Sequence, residues 1–252
     1  LIDIGQSGKG MITKMNIDSH ISKDSHTDRN YEDELYQLRE GILRMAGKVE
    51  KMISQSIQAL VNHDMELAKE TIEMDHQVNR DEIESDDLCL LMLAKWQPMA
   101  SDLRFITLTL KMVTDLERIG DLAVNICKRV INLGLDPPLK PYIDIPKMAA
   151  ITQSMIRDAI DAFVAQDVDK AHRVVILDDE VDDLYKKVFR ELIKLMKDES
   201  NVERGIHVQS IAKVLERMAD HCTNLAEQVI LMVKGKDIRH LGKRSEDEES
   251  QG

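Results

Sequence analysis

Aromatic side chains are nearly missing from this chain, with three Phe, four Tyr and one Trp among 252 residues. That shortage, beside abundant Met, Leu, Ile and charged residues, argues against a sheet-based fold and favours packed helices. Cysteine is scarce too. Cys89, Cys127 and Cys222 lie far apart, none forms a CxxC pair, and an odd number cannot make a closed disulfide framework. They read as reduced, helix-borne thiols of a cytosolic protein. No apolar run approaches the roughly 20 residues needed to span a bilayer. The first ten residues, LIDIGQSGKG, lack the apolar core of a secretory signal and read either as a tag remnant ahead of Met11 or as a truncated natural N-terminus. Positive charge is in deficit: the net charge of −12 argues against a DNA- or RNA-binding surface. Missing as well are a nucleophile–base pair, a dinucleotide fingerprint and a glycine-rich phosphate loop, the lone Ser-Gly-Lys falling within the tag-like leader. These absences point away from an enzyme.

What the chain does have, it has twice. Residues 59–79, ALVNHDMELAKETIEMDHQVN, align without a gap to AFVAQDVDKAHRVVILDDEVD, 103 positions later. LERIGDLAVNI from Leu116 is answered 99 positions later by LERMADHCTNL from Leu215. A period near 100 residues is too long for a solenoid and marks two homologous domains. Each copy reads as three helices. In the first, these run from Asp33 to about Asn62, from Met65 to Lys95, and from Pro98 to Asn132, with Asp64 capping the second. In the second copy they span about 147–165, 168–197 and 204–233, with Asp167 where Asp64 stood. Four of the five prolines fall in 132–147, a linker. The division is therefore a tag and flexible N-terminus over 1–30, a first repeat over 31–131, a linker over 132–146, a second repeat over 147–234, and a charged tail over 235–252. The third helix of each copy carries an apolar seam with spacing 4, 3, 4, 3, 4: Met112, Leu116, Ile119, Ala123, Ile126 and Val130, then Ile211, Leu215, Met218, Cys222, Leu225 and Val229. The fold expected is all-α, two antiparallel three-helix bundles joined end to end. One conflict stands out. Asp81 and Ser85 occupy seam positions filled by Leu184 and Val188 in the second copy, so either Ile83 reads a shifted register or the run 81–87 is loose.

Beside each seam runs an acidic stripe. Glu117 and Asp121, with Asn125 beyond, stack four apart on one helix face, and Glu216, Asp220 and Asn224 repeat the pattern. Their heptad positions face outward, accessible to solvent. The hairpin geometry brings Asp75 and Asn79 of the second helix level with them, and Asp178 and Asp182 in the second copy. Oxygen-rich groups of this kind suit Mg²⁺, Ca²⁺, Mn²⁺ or iron, and neither paired Cys nor repeated His favours zinc. A ferritin-like diiron centre needs paired inward Glu-x-x-His motifs. Only Glu73/His76 fits, and Ile176/Asp179 replaces it in the second copy. The bland alternative is a solvated face whose like charges are relieved by Arg118 and Arg217. Because Asn79 stands where Asp182 carries a carboxylate, the second repeat is expected to fill first. Phosphate is a poor direct ligand for such a stripe unless a metal bridges it.

Three segments together resemble the PhoU family of phosphate-specific transport accessory proteins: AKWQPMASDLR (94–104), LERIGDLAVNI (116–126) and VKGKDIRHLG (233–242). The resemblance covers about 33–242. It implies a pair of pseudo-symmetric three-helix bundles, often dimeric. It further implies a cytoplasmic negative regulator of phosphate uptake and of the phosphate-starvation response, an adaptor between the ATPase subunit of the phosphate ABC transporter and its sensor histidine kinase, placed at the inner membrane face through those partners. Some members bind multinuclear iron or other metals, with manganese, magnesium and zinc as alternatives, through Glu/Asp-x-x-x-Asp motifs. Here these map onto Glu117/Asp121, Asp178/Asp182 and Glu216/Asp220, and Asp75/Asn79 departs from the pattern. Rival readings are a metal-dependent enzyme or metal store using the same carboxylates, and a helical spacer without ligand. Asp102 and Arg104 are expected to fix the turn between helices two and three, the alternative being a partner contact, and the basic segment 236–244 to lie near anionic lipid.

Overall fold

The computed structural model describes the backbone of residues 15–135, 138–139 and 141–235, and side chains from Arg29 onward; the basic and acidic tail segments lie outside the described residues. Six α-helices follow in order: α1 (Met15–Asn62), α2 (Met65–Trp96), α3 (Ala100–Leu133), α4 (Asp144–Ala165), α5 (Val168–Leu195) and α6 (Val202–Lys234), with a 3-10 turn (Glu199–Asn201) before the last. No strand occurs among the described residues. The all-α class is as expected, and no described helix is long and apolar enough to cross a membrane.

Helix α1 starts at Met15 rather than Asp33. An apolar stripe marks where a helix begins to pack, not where it begins, and no Gly or Pro interrupts the chain between Gly10 and Gly41. Helix α3 starts two residues after Pro98, because Gln97 is left-handed (φ 48°) and Met99 extended. Helix α4 starts at Asp144, which leaves Pro146 in its first turn, where no N–H is needed.

The two repeats use the same turn chemistry. His63 and Gln166, at matched positions, are left-handed, with φ of 55° and 54°. The next residue, Asp64 or Asp167, donates its N–H to the carbonyl of Ala59 or Ala162 at 2.9 Å in both cases. Its carboxylate then accepts from the N–H of Leu67 or Lys170. Such a cap contributes about 1 kcal/mol. Each predicted α3 and α6 seam residue is buried, and Leu38, Ile42, Met45, Val49 and Met52 of α1 face α2 and α3. At about 1.5–3 kcal/mol per large apolar side chain, this core dominates the cohesion.

Asp81 resolves the seam conflict in neither of the expected ways. The register does not shift, since Ile83 is 60% exposed while Asp81 is 5% exposed and Ser85 equally buried. Instead Lys48 Nζ and Arg44 Nε of α1 reach Asp81 at 2.7 and 3.3 Å, so a carboxylate occupies a core position as half of an ion-pair group. Ser85 Oγ donates to the carbonyl of Asp81 at 2.7 Å. The second repeat has the opposite polarity: Asp144 on its first helix is 6% exposed and pairs with Lys187 of α5 at 2.9 Å.

The repeats do not simply meet end to end. Helix α3 lies along α6, and α1 packs against α4. The reason is chemical: α3 and α6 bury more than one face, beyond the single seam. Val113, Leu122, Val124 and Cys127 on α3, and Ala212, Ala219 and Ile230 on α6, are all buried. Polar ties cross the same junction. Asp115 accepts from Gln228 Nε2 at 2.6 Å and Asn224 Nδ2 at 3.5 Å, and pairs with His221 Nδ1 at 2.9 Å. Gln153 donates to the Glu50 carbonyl at 3.1 Å, Arg157 pairs with the Glu50 carboxylate, and Phe105 stacks on Phe163 at 5.2 Å.

Candidate functional site

The antiparallel pairing of α2 with α3 sets four expected residues side by side. Asp75 lies against α3 where Gly120 leaves room: a Cβ there would sit 3.9 Å from Asp75 Oδ1 and 3.4 Å from Val78. Asn79 Nδ2 donates to Asp75 Oδ2 at 3.0 Å. Burial raises the Asp75 carboxyl above its usual range, the Asp121 charge raises it further, and the Asn79 bond offsets part of the rise. Glu117 is raised in the same way, by burial, then by Asp121 and Glu82. The stripe is less open than its heptad positions suggested. The Glu117 side chain is 16% exposed and Glu216 14%, while Asp121 and Asp182 stay near half exposed.

In the second repeat α5 and α6 converge likewise. Burial raises Asp178, and Asp220, Asp182, Asp179 and Glu216 add to it, bringing it to about 6. Asp220 is raised by burial and then by Glu216. Cations relieve some of this crowding. Arg118 reaches Glu117 at 3.6 Å and Asp121 at 3.9 Å. Lys213 pairs with Glu216, and Lys186 lies 3.9 Å from Asp182, taking the part expected of Arg217.

Glu82 belongs to the first group, although the repeat alignment does not point to it. Burial raises it, then Asp86, with Asp121 contributing. A signal is present in the spacing: Asp75, Asn79, Glu82 and Asp86 are separated by 4, 3 and 4, an acidic row along one face of α2. The matched row on α5 reads Asp178, Asp182, Tyr185 and Phe189, the last two ring-stacked. Glu82 thus supplies the first repeat with a carboxylate that Asn79 lacks. The two asparagines fall elsewhere. Asn125 is exposed, and Asn224 turns to Asp115 across the repeat junction. Glu73 and His76 are both largely exposed.

These residues suit a hard cation by donor chemistry. All are oxygen donors, and Asp75 Oδ1, Asn79 Oδ1 and Glu216 Oε2 are buried without a hydrogen-bond partner. Among the described residues, no three His, Cys, Asp or Glu side chains already converge as a closed metal cage. The groups are electrostatic neighbours, not a preformed polyhedron. The three thiols offer no alternative chemistry, as all are buried, with Cys89 and Cys127 raised by burial to about 12.

Of the hairpin pair, Asp102 accepts from Tyr31 Oη at 3.1 Å, tying the α2–α3 turn to α1. Glu34 of α1 completes the tie, accepting from Lys95 Nζ and Trp96 Nε1, each at 2.6 Å. Burial alone would raise Glu34, but those two bonds outweigh it and hold the carboxyl low. Arg104 does not serve the turn; its guanidinium lies against Gly235 at the end of α6.

Comparison with known proteins extends the picture. The PhoU domain family model matches residues 42–130 and 145–229. The chain is 38% identical to the phosphate-specific transport system accessory protein PhoU homolog of Pseudomonas putida, over 96% of this chain and 93% of that protein. It is 34% identical to the phosphate-specific transport system accessory protein PhoU of Escherichia coli K12, over 90% and 92%. Among solved structures it is similar to PhoU from Pseudomonas aeruginosa, with a TM-score of 0.79 and 38% identity over 82% of this chain and all of that one. The phosphate transport system regulatory protein PhoU from Streptococcus pneumoniae gives 0.77 and 29%, over 82% and 99%.

Proposed function

This chain belongs to the PhoU family, and on that premise we propose that it is an accessory protein of phosphate transport that acts by binding, not by catalysis. The observation that carries the proposal is coverage: both repeats match the family domain, and more than nine-tenths of the length of relatives named as transport accessory proteins is aligned. The finer role follows the resemblance. The protein would be a cytoplasmic negative regulator of phosphate uptake and of the starvation response, linking the ATPase subunit of the phosphate ABC transporter to its sensor histidine kinase. A homodimer would present two sets of long helical faces. Immobilised ATPase subunit, and separately the cytoplasmic part of the kinase, should retain the purified chain, with occupancy that changes with phosphate. Failure to retain it at any phosphate level would sink the adaptor role.

Metal binding forms the second part of the proposal. Asp75, Asn79, Glu82, Glu117 and Asp121 would hold a cation in the first repeat, and Asp178, Asp182, Glu216 and Asp220 in the second. Iron, manganese or magnesium suit these oxygens better than zinc. A bound cation would neutralise like charges and cross-link neighbouring helices. Arg118, Lys213 and Lys186 already supply part of that neutralisation, so metal should add stability without being required for folding. Elemental analysis of protein purified without chelator, paired with melting curves before and after added iron or manganese, tests it. Trace metal and an unmoved melting curve would leave only a solvated acidic face.

A further inference from the structure

Several of this acidic protein's arginines and lysines face carboxylates, but two arginines share a cavity without pairing to one. A hollow of about 320 Å³ opens between the first repeat and the far end of the second, lined by Leu35 and Arg39 of α1, Ser101, Arg104 and Phe105 of α3, and Gln166 at the α4–α5 turn. Neither Arg39 nor Arg104 makes an ion pair with a described residue. Arg39 stacks over the Phe105 ring at 5.0 Å, and Arg104 abuts Gly235, where a Cβ would lie 3.1 Å from its Nη1. Both side chains are exposed, and these packing contacts leave their guanidinium N–H groups unclaimed among the described residues.

The surroundings favour an anion. Helix α3 begins at this hollow and no side chain caps it, so its positive dipole end lies on the same side, although the Asp102 N–H donates to the Met99 carbonyl at 3.2 Å. The Gln166 amide adds a neutral donor. One acid, Asp102, also lines the hollow, but its carboxylate is engaged by Tyr31 Oη at 3.1 Å and by Ser101 Oγ at 3.4 Å. Two arginines against one engaged aspartate leave a net positive site. A structural alternative is that Arg104 merely serves the C-terminal end of α6, where a cation is favourable. That role does not account for Arg39, which approaches from α1.

We propose that this hollow binds a small phosphate-bearing anion, gripped by Arg39 and Arg104 and seated at the α3 N-terminus. Guanidinium forks match phosphate oxygens two at a time, and a tetrahedral group offers enough oxygens for both. The site draws on both repeats, so an occupant would bridge them. It shares no residue with the acidic groups and does not depend on metal.

The test is calorimetric titration of the full chain with inorganic phosphate, pyrophosphate and AMP, before and after chelation. The single Trp96, which packs edge-on against Tyr31, the donor to Asp102, provides a fluorescence check. The expected result is saturable binding of at least one probe, unchanged by chelator and by the E117Q/E216Q variant. R39Q and R104Q should each weaken it by about tenfold or more, with melting curves kept near wild type. R104K, which keeps the charge but loses the fork, should weaken it less than R104Q. Preference for phosphate over AMP would identify the free ion as the source, and the reverse a phosphorylated metabolite. Three results would overturn the site: no saturable binding of any probe, binding abolished by chelator, or binding indifferent to both arginine variants. Should R39Q melt early, R39K with its melting curve intact decides the same point.

Discussion

Asp178 meets Asp220 and Glu216 across the α5–α6 contact and Asp182 along its own helix, whereas Asp81 meets Lys48 and Arg44 across the α1–α2 contact. The same side chain therefore has opposite consequences. Burial and the neighbouring carboxylates lift Asp178 from an ordinary 3.8 to about 6, so folding favours its protonated form. Its stabilising contribution is complete below the unfolded value and is lost as pH rises through about 6. In chelated protein, Asp178→Asn should therefore raise stability at pH 7 by about 1 kcal/mol, after discounting for partial exposure, or a few degrees of melting temperature. The gain should shrink to nothing by about pH 4, and paired thermal melts across pH read it directly; a gain constant with pH would disprove the electrostatic origin. At Asp81 the charge is paired instead, and its removal has the opposite effect on stability. Asp81→Ala strands Lys48 and should cost about 2 kcal/mol, less than a fully buried pair because Arg44 is half exposed. The second repeat has Ile151 and Leu184 at the matched positions. Lys48→Ile with Asp81→Leu should consequently recover the loss, as measured by urea denaturation.

At the scale of the element, the α2–α3 contact depends on Gly120. A Cβ at this position would stand 3.4 Å from Val78, so the contact admits a methyl group and little more, and Ala219 occupies the matched position of α6. Gly120→Ala should be neutral or stabilising by up to about 1 kcal/mol, since alanine favours helix. Gly120→Leu should cost about 1–3 kcal/mol and push Asp75 away from Asp121, raising the metal concentration needed for any thermal stabilisation. Calorimetry on both variants separates these expectations; equal stability would mean the helices do not approach here. The elements themselves were legible because their signals are local. The seam spacing, the Asp64 and Asp167 caps and the level of Asp75 against Asp121 all follow from helical periodicity and hairpin length. The Asp81 ion pair was not legible, because its partners Lys48 and Arg44 lie on another helix and nothing in the spacing of α2 names them. Glu82 was legible in principle but masked, since the polar run 81–87 looks like a broken seam when its outer face carries an acidic row. The N-terminal reach of α1 was hidden because the sequence ahead of Asp33 carries no regular apolar stripe.

Across the whole molecule the least legible feature was the lateral contact of the repeats. A duplication says that two units exist, but their mutual packing depends on surfaces that no internal alignment compares. Asp115 shows this well: its counterpart is Val214, so it serves no role common to the repeats. It lies on α3, with its side chain 15% exposed, and receives His221, Asn224 and Gln228 of α6. Removing it leaves those donors facing a partly buried gap, at about 1–3 kcal/mol for an unsatisfied set of this size. The apolar faces of α3 and α6 contribute much more to their contact, so the two repeats should stay together in Asp115→Ala. The loss should show as local opening before global unfolding. Hydrogen exchange should accelerate along α3 and α6 near residues 115 and 221–228, while the outer helices α2 and α5 keep their protection. Asp115→Asn, which retains one acceptor, should fall between the two. Uniform acceleration in all six helices would mean that the repeats open as one cooperative unit, and unchanged exchange would mean that apolar packing alone fixes their angle.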